Sequence, residues 1–389
     1  MLRGGPQGPP FLQPAMASSR SPELSIIVPV LHEIAILPAL FHTLAGQRRI
    51  DFELILSDGG SADGTWERAR ILARENSFPC RVIEAERGRG RQLNAGAAVA
   101  RGDCLLFLHA DSDFADPLAL CKGLAALRER VRQRADERVA GRFALRFRGS
   151  SQQPSLAYYF YENKARLNRP GCIHGDQGFF LTPAYFHELG GFDSRLPILE
   201  DDRLAAQVFK TGEWLLLPAE IFSSARRFES EGLRQRQTLN ALLTNFADIG
   251  WEDYFLSATS IYRRQNRTKP LSLYPYFAQV RTLLKGFSGQ QRLNFWYRTG
   301  AFVRANAWQI SLFIDVRHNF SRHLPVGQGA LRRLRFYDRW LEPVIDHPPG
   351  RLAAGVLTWI WFHLSLWQLR RGVKITSLRQ GVANGTGDD

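Results

Sequence analysis

Four short strand-like runs recur through residues 24–109, and a helical segment separates each from the next. Leu24-Ser-Ile-Ile-Val-Pro-Val30 is a short run that is apolar apart from Ser25, as is typical of a buried strand. Residues 36–46 read as a helix closed by Gly46, residues 52–57 as a second strand, and 65–75 as a helix. Residues 81–84, 90–100 and 104–109 continue the series as strand, helix and strand. This β-α-β-α-β-α-β order predicts an α/β fold, Rossmann-like, with a mostly parallel sheet between helices. Ligands of such sheets sit at the carboxyl ends of the strands. Asp58 and Asp111 both fall at those ends.

The rest is less regular. Residues 118–138 read as a long charged helix, 139–147 as a strand, 179–181 as a short apolar strand and 204–209 as part of an amphipathic helix. Beyond residue 228 the pattern turns helical and aromatic. Residues 1–22, rich in Gly, Pro and Ser, lack the apolar run of a secretory signal and read as a disordered tail. Cys80, Cys104, Cys121 and Cys172 form no C-x-x-C pair, so neither a zinc site nor a disulfide framework is suggested and a reducing cytosolic compartment fits.

Two groups of residues invite a chemical reading before any family is considered. Arg87, Arg89 and Arg91 alternate with Gly88 and Gly90 ahead of a helix. Gly allows close backbone approach, Arg binds phosphate and a helix N-terminus favours anions, so this is a candidate diphosphate cradle. Glu200, Asp201 and Asp202 are three adjacent acids opening a helix. They suit either the helix dipole or a catalytic base.

The ordered blocks SIIVPVLHE (25–33), ILSDGGSADGT (55–65), ERGRGRQLNAGAA (86–98), FLHADS (107–112), GDQGFF (175–180), LEDDRLA (199–205) and SARRFE (224–229) resemble the family-2 glycosyltransferases of GT-A type. Among these they are most similar to the bacterial subgroup described as arsenosugar-biosynthesis or radical-SAM/selenodomain-associated glycosyltransferases. The resemblance implies a GT-A domain over residues 23–228 that uses a nucleotide-sugar donor, with UDP-sugars favoured. It places Pro29, Glu33, Asp58, Gly60, Arg87, Arg89, Arg91, Asn94, Arg226 and Arg227 around the nucleotide. Asp58 would accept from the uracil N3–H, or it forms the turn before Gly59-Gly60. Asp63 reads as a cap for the helix starting at Thr65. His109-Ala-Asp111 stands where the family carries D-x-D, so Asp111 would hold Mg²⁺ or Mn²⁺. His109 would join the metal, contact ribose or be buried. Asp176 and Gln177 would line the acceptor side, or form a turn. Asp201, with Glu200 beside it, would deprotonate the acceptor hydroxyl in an inverting transfer.

The basic charge lies elsewhere. Residues 226–389 carry 24 Lys+Arg and 11 Asp+Glu, which leaves a net +13 of the chain's +14. Seven of the nine Trp lie within 229–389. Phe302 to Val316 read as one apolar helix. Leu352 to Leu369 carries no acid, Lys or Arg and would be about 27 Å long as a helix, short for a span. Its alternatives are a helix lying in the membrane plane, a span or a packed core helix. The expected partner of this extension is an anionic membrane surface at the cytoplasmic face, with peripheral or monotopic attachment. No nucleic-acid-binding motif is present to make use of the charge. The competing function is a non-catalytic membrane-surface adaptor on a decayed transferase fold.

Overall fold

The computed structural model describes residues 21–149, 154–265 and 270–384, so the expected tail over 1–22 lies almost wholly outside the described residues. The first part runs β1 (Leu24–Val30), α1 (Leu37–Ala45), β2 (Phe52–Asp58), α2 (Thr65–Glu75), β3 (Cys80–Glu84), α3 (Arg89–Ala98), β4 (Cys104–Phe107), α4 (Ala119–Arg134) and β5 (Val139–Arg148). Then come α5 (Leu156–Lys164), a 3₁₀ turn (Gly175–Gln177), β6 (Phe179–Leu181), α6 (Pro183–Glu188), α7 (Glu200–Thr211) and β7 (Glu213–Ser224). The extension adds α8 (Arg226–Glu231), α9 (Leu233–Asp248), α10 (Glu252–Arg264), α11 (Tyr274–Lys285), α12 (Gly289–Ala305) and α13 (Trp308–Ser321). It closes with α14 (Arg332–Phe336), a π-helical turn (Tyr337–Leu341), α15 (Glu342–Ile345) and α16 (Pro348–Asn384).

The strands form one sheet in the order β3-β2-β1-β4-β6-β5-β7. All neighbours are parallel except β6, which runs against both β4 and β5. The α/β architecture expected of a GT-A domain is therefore present, with one reversed strand that the β-α alternation does not announce. Leu24 to Val28 are buried on both faces because β1 lies between β2 and β4 under helices on either side. The β4 ladder stops at Ile27, two residues before Pro29, so the missing N–H of Pro29 breaks no bond on that edge.

One apolar layer packs α1, α2 and α4 onto the sheet through Phe41, Leu72 and Leu124. The opposite layer gathers Leu93, Phe186 and Leu204 from α3, α6 and α7, together with Trp308, Leu312 and Leu334 from the extension. A third cluster joins α9–α12 to α16 around Phe246, Trp251, Phe295 and Phe362. The segment after residue 228 thus divides its packing between the sheet and its own core. The single helix expected across 302–316 is also two helices. α12 ends at Asn306, whose side-chain amide donates to the Phe302 carbonyl at 3.0 Å and competes with the helix ladder. The charged helix expected over 118–138 stops at Arg134, because Ala135 takes the left-handed conformation (φ +49°) that closes α4.

Candidate active site

The carboxyl ends of β1, β2 and β4 open on one edge of the sheet, as parallel strands require. Gln92 holds two of those ends together. Its buried amide donates to the carbonyls of Val30 and Ser57, at 2.8 Å each. Nothing in the sequence singled it out, since its partners lie 62 and 35 residues away.

Asp58 is buried at the end of β2. Its Oδ2 accepts from the backbone N–H of Gly60 at 3.1 Å and of Ser61 at 2.9 Å, and the Ser61 hydroxyl donates to Oδ1. The turn reading is realised, and Gly60 takes the φ of +85° that the turn needs. Carboxylate lone pairs remain for a further donor. Asp63 accepts from the N–H and hydroxyl of Thr65 at 3.1 and 2.6 Å, one residue outside the N-cap position held by Gly64. Glu33 pairs with Arg226 at 3.4 Å. Burial raises the Glu33 carboxyl, Arg226 and Arg227 lower it, and Asp111 raises it. The Arg226-Arg227 pair therefore returns to the site from the start of the extension.

The three arginines of the Gly-rich segment do not converge. Arg87 is exposed, with no ion pair among the described residues. Arg91 donates to the Ser194 carbonyl at 3.1 Å and pairs with Glu86. Arg89, in the first turn of α3, turns inward to Glu200 (Nε to Oε1, 3.2 Å) and Asp201 (Nη2 to Oδ2, 3.6 Å). Asn94 spends its amide on the loop before α7, donating to Phe192 O at 2.8 Å and Ser194 Oγ at 3.1 Å and accepting from Phe192 N–H at 2.9 Å. It positions that loop.

The three acids at the start of α7 face different partners. Glu200 is buried against Arg89, and burial raises its carboxyl against the pull of that guanidinium. Asp201 accepts from the Gly175 N–H at 2.8 Å. Burial would push Asp201 up, but the charges of Arg89 and His174 and the Gly175 N–H hold it at about 2. Asp202 bonds His174 Nδ1 at 2.6 Å. Burial lowers His174, but Asp202 beside it outweighs that and lifts it to about 9. The residue before this trio, Leu199, is left-handed (φ +65°). It is held by packing against the third apolar cluster, which fixes how α7 enters the site.

His109 lies two residues past β4 with its Nε2 against the Arg89 guanidinium, a donor-only group, so that nitrogen accepts. Burial first and Arg89 second keep His109 well below the usual histidine range, hence neutral. Asp113 is bound into the fold through Thr43, Arg148 and a backbone bridge to Phe222. Gln177 is fully buried; its amide donates to Cys172 O at 2.8 Å and accepts from Arg142 at 3.0 Å, so it anchors the turn and offers the acceptor nothing. Its neighbour Asp176 differs. Asp176 Oδ1 is buried without a hydrogen-bond partner, and burial raises this carboxyl to about 6, opposed by His174 and Arg89 and reinforced by Asp201 and Asp111.

An orphaned carboxylate oxygen within the field of Asp111 fits a hard divalent cation. Among the described residues no group of three or more His, Cys, Asp and Glu forms a metal cage. Two protein oxygens with substrate phosphates and water is the coordination Mg²⁺ commonly accepts. About 10 Å³ is free between Arg89, His109, Gly175 and Asp201, and the Asp201 side chain remains 13% exposed. A larger cavity, about 580 Å³, borders Asp111 on the side of α1 and β7.

The chain is similar to a PGL/p-HBAD biosynthesis glycosyltransferase of Mycobacterium tuberculosis, at 42% identity over 103 residues, which is 25% of this chain and 40% of that protein. It is also similar to an uncharacterized glycosyltransferase of Haemophilus influenzae, at 40% identity over 93 residues, 23% of this chain and 30% of that protein. The matched segment thus spans well under half the length of either relative. Among solved structures, the mannosyltransferase PcManGT of Pyrobaculum calidifontis in complex with GDP-Man and Mn²⁺ aligns with a TM-score of 0.45 at 15% identity, covering 88% of each chain. Residues 1–349 of S. aureus TarS in complex with UDP-GlcNAc align with a TM-score of 0.41 at 15% identity, covering 78% of this chain and 92% of that one. The model of the family described as Glycosyl transferase family 2 matches residues 25–186, a stretch that holds Asp58, Arg89, Asp111 and Asp176.

Proposed function

We propose that this protein is a metal-dependent, inverting glycosyltransferase that moves a sugar from a nucleotide-sugar, UDP-sugars foremost, to the hydroxyl of a lipid-linked or membrane-associated acceptor. The observation that carries the reading is Asp201, an ionised carboxylate at the carboxyl edge of the sheet, held by Arg89, His174 and the Gly175 N–H. Asp201 takes the acceptor proton as the hydroxyl oxygen bonds to the anomeric carbon, and the bond from that carbon to the diphosphate oxygen breaks. Asp58 receives the base, and Arg226, Arg227 and Arg87 offer positive charge to the departing diphosphate. Asp111 and Asp176 would hold the divalent cation, which supplies further charge neutralisation on the leaving group.

The basic extension keeps the enzyme at the cytoplasmic face of an anionic membrane, which concentrates it where such an acceptor resides. The finer likeness to the arsenosugar-associated subgroup is supported by the motif blocks, His109-Ala-Asp111 among them. UDP with Mn²⁺ or Mg²⁺ should raise the melting temperature, and Asp201→Asn should keep that shift while transfer is lost. Unaltered turnover in that variant removes Asp201 as the base. No nucleotide binding across a full nucleotide-sugar panel replaces this reading with the adaptor.

A further inference from the structure

Helix α16 is apolar on two opposite sides, and the protein covers only one. Gly355, Phe362 and Leu366 are buried against α11 and α12, with Phe362 stacked on Phe277 at 5.3 Å and tilted against Trp296 at 5.5 Å. On the far side Val356, Leu357, Ile360, Leu364 and Trp367 follow the helical repeat and are 41–67% exposed. Pro348–Gly372 is the one helix, among the described residues, long and apolar enough to cross a membrane by length and composition. Most of it is uncovered, so it is not a core helix.

Its partner decides between spanning and lying flat. α12 runs against α16 at very close range: a Cβ on Gly300 would lie 2.2 Å from the Arg351 carbonyl and 2.4 Å from the Gly355 nitrogen. Trp296, one turn earlier in α12, meets Phe362, so the two helices are antiparallel and in contact along their length. The first turns of α12 leave Gln290, Gln291, Arg292 and Asn294 exposed to solvent, and Arg298 is exposed further along the helix. A spanning α16 would carry those arginines into hydrocarbon, where they are strongly disfavoured. A flat α16 keeps them in water and turns only the Val356–Trp367 stripe outward.

We propose that α16 docks in the plane of one leaflet of an anionic membrane, with its outer stripe in the acyl boundary and α12 on its solvent side. This deepens the membrane part of the reading above and does not depend on the transferase chemistry. Charge complementarity selects lipid over a second copy of the chain. The stripe carries no acidic residue and is flanked by Arg351, Arg370 and Arg371, while residues 226–389 bear a net +13. Two copies would bring like charges together; an anionic headgroup layer attracts them. The Arg371 guanidinium lies 3.8 Å from the Trp367 ring centroid, an aromatic-cation pairing suited to the headgroup level. Ile198 and Leu199, just ahead of α7 and Asp201, pack against the same third cluster as α16.

The full chain should float with phosphatidylcholine vesicles containing about one third phosphatidylglycerol, and poorly with phosphatidylcholine alone. Ile360→Glu with Leu364→Glu should cut the bound fraction about tenfold or more, since both side chains are exposed and leave the core intact. The UDP-dependent melting shift should be unchanged in that variant, which separates loss of docking from loss of folding or donor binding. Ala353→Cys and Gln368→Cys should both escape an impermeant maleimide in intact spheroplasts and both react after detergent solubilisation. Labelling of one end alone in intact cells establishes a span and overturns the proposal. So does vesicle binding indifferent to the double substitution, or a dimer that Leu364→Glu dissociates in a chain that binds no vesicles. If docking fails while UDP binding and transfer persist, the in-plane helix is wrong and the transferase stands.

Discussion

The Gly175 N–H donates to Asp201 Oδ2 at 2.8 Å, and the Gly175 α-carbon leaves no room for a side chain. A Cβ there would lie 2.9 Å from Asp201 Oδ2 and 3.2 Å from His109 Nε2, with the Arg89 guanidinium closer still. Gly175→Ala must therefore push the carboxylate or the guanidinium aside. Turnover should fall about 100-fold, the cost of misplacing a reacting group by about 1 Å. The UDP-induced melting shift should survive, because the nucleotide ends of β1 and β2 are untouched. Steady-state kinetics beside thermal unfolding check both halves.

Arg89 makes Asp201 a strong acid in the free protein. Burial alone would raise the carboxyl; Arg89 and then His174 bring it down to about 2. Replacing Arg89 with Gln should move the acid limb of the kcat/KM profile upward, towards or above the ordinary carboxylate value near 4. The direction is fixed, because removing a positive neighbour can only favour the protonated form. A limb that stays put would mean that Arg89 does not set the Asp201 carboxyl in the free enzyme.

Two buried amides should matter to stability, and only Gln92 to nucleotide affinity as well. Gln92→Leu removes a donor from the Ser57 carbonyl and from the Val30 carbonyl, which keeps the Gly59 N–H, and Gln177→Leu removes the amide donor from the Cys172 carbonyl and one acceptor from Arg142. Each should cost about 1–3 kcal/mol in denaturant unfolding. The acceptor KM of Gln177→Leu should match the parent. Gln92→Leu should in addition weaken UDP binding in calorimetry, since it loosens the strand ends beside Asp58.

The strands up to β4 were legible because continuous apolar runs and turn residues mark a buried parallel sheet without tertiary information. β7 was not: Pro218 interrupts it, its burial alternates irregularly, and its pairing with β5 slips near Arg142. The carboxylates at strand ends, Asp58 and Asp111, could be found from register alone. The direction of Arg89 could not, since a glycine-rich loop before a helix reads the same whether its arginine faces phosphate or a buried acid pair. The pairing of His174 with Asp202 escaped notice for a different reason. They are 28 residues apart, on a turn and on a helix, and only the folded chain joins them.

That pair gives the sharpest pH test. His174 has its folded value raised to about 9: burial lowers it, and the Asp202 charge and hydrogen bond more than reverse this. A group raised in the folded state stabilises fully below its unfolded value, near 6.5, and loses that contribution as pH climbs through the folded value. In Asp202→Asn the burial penalty remains without its opposing charge, so His174 should titrate well below 9. The melting temperatures of parent and variant should differ most below about pH 6.5 and converge above about pH 9. The His174 ring protons, followed by NMR, should show the same displacement directly. A gap in melting temperature that is constant across this range would mean that Asp202 acts on α7 through its dipole alone and not through His174.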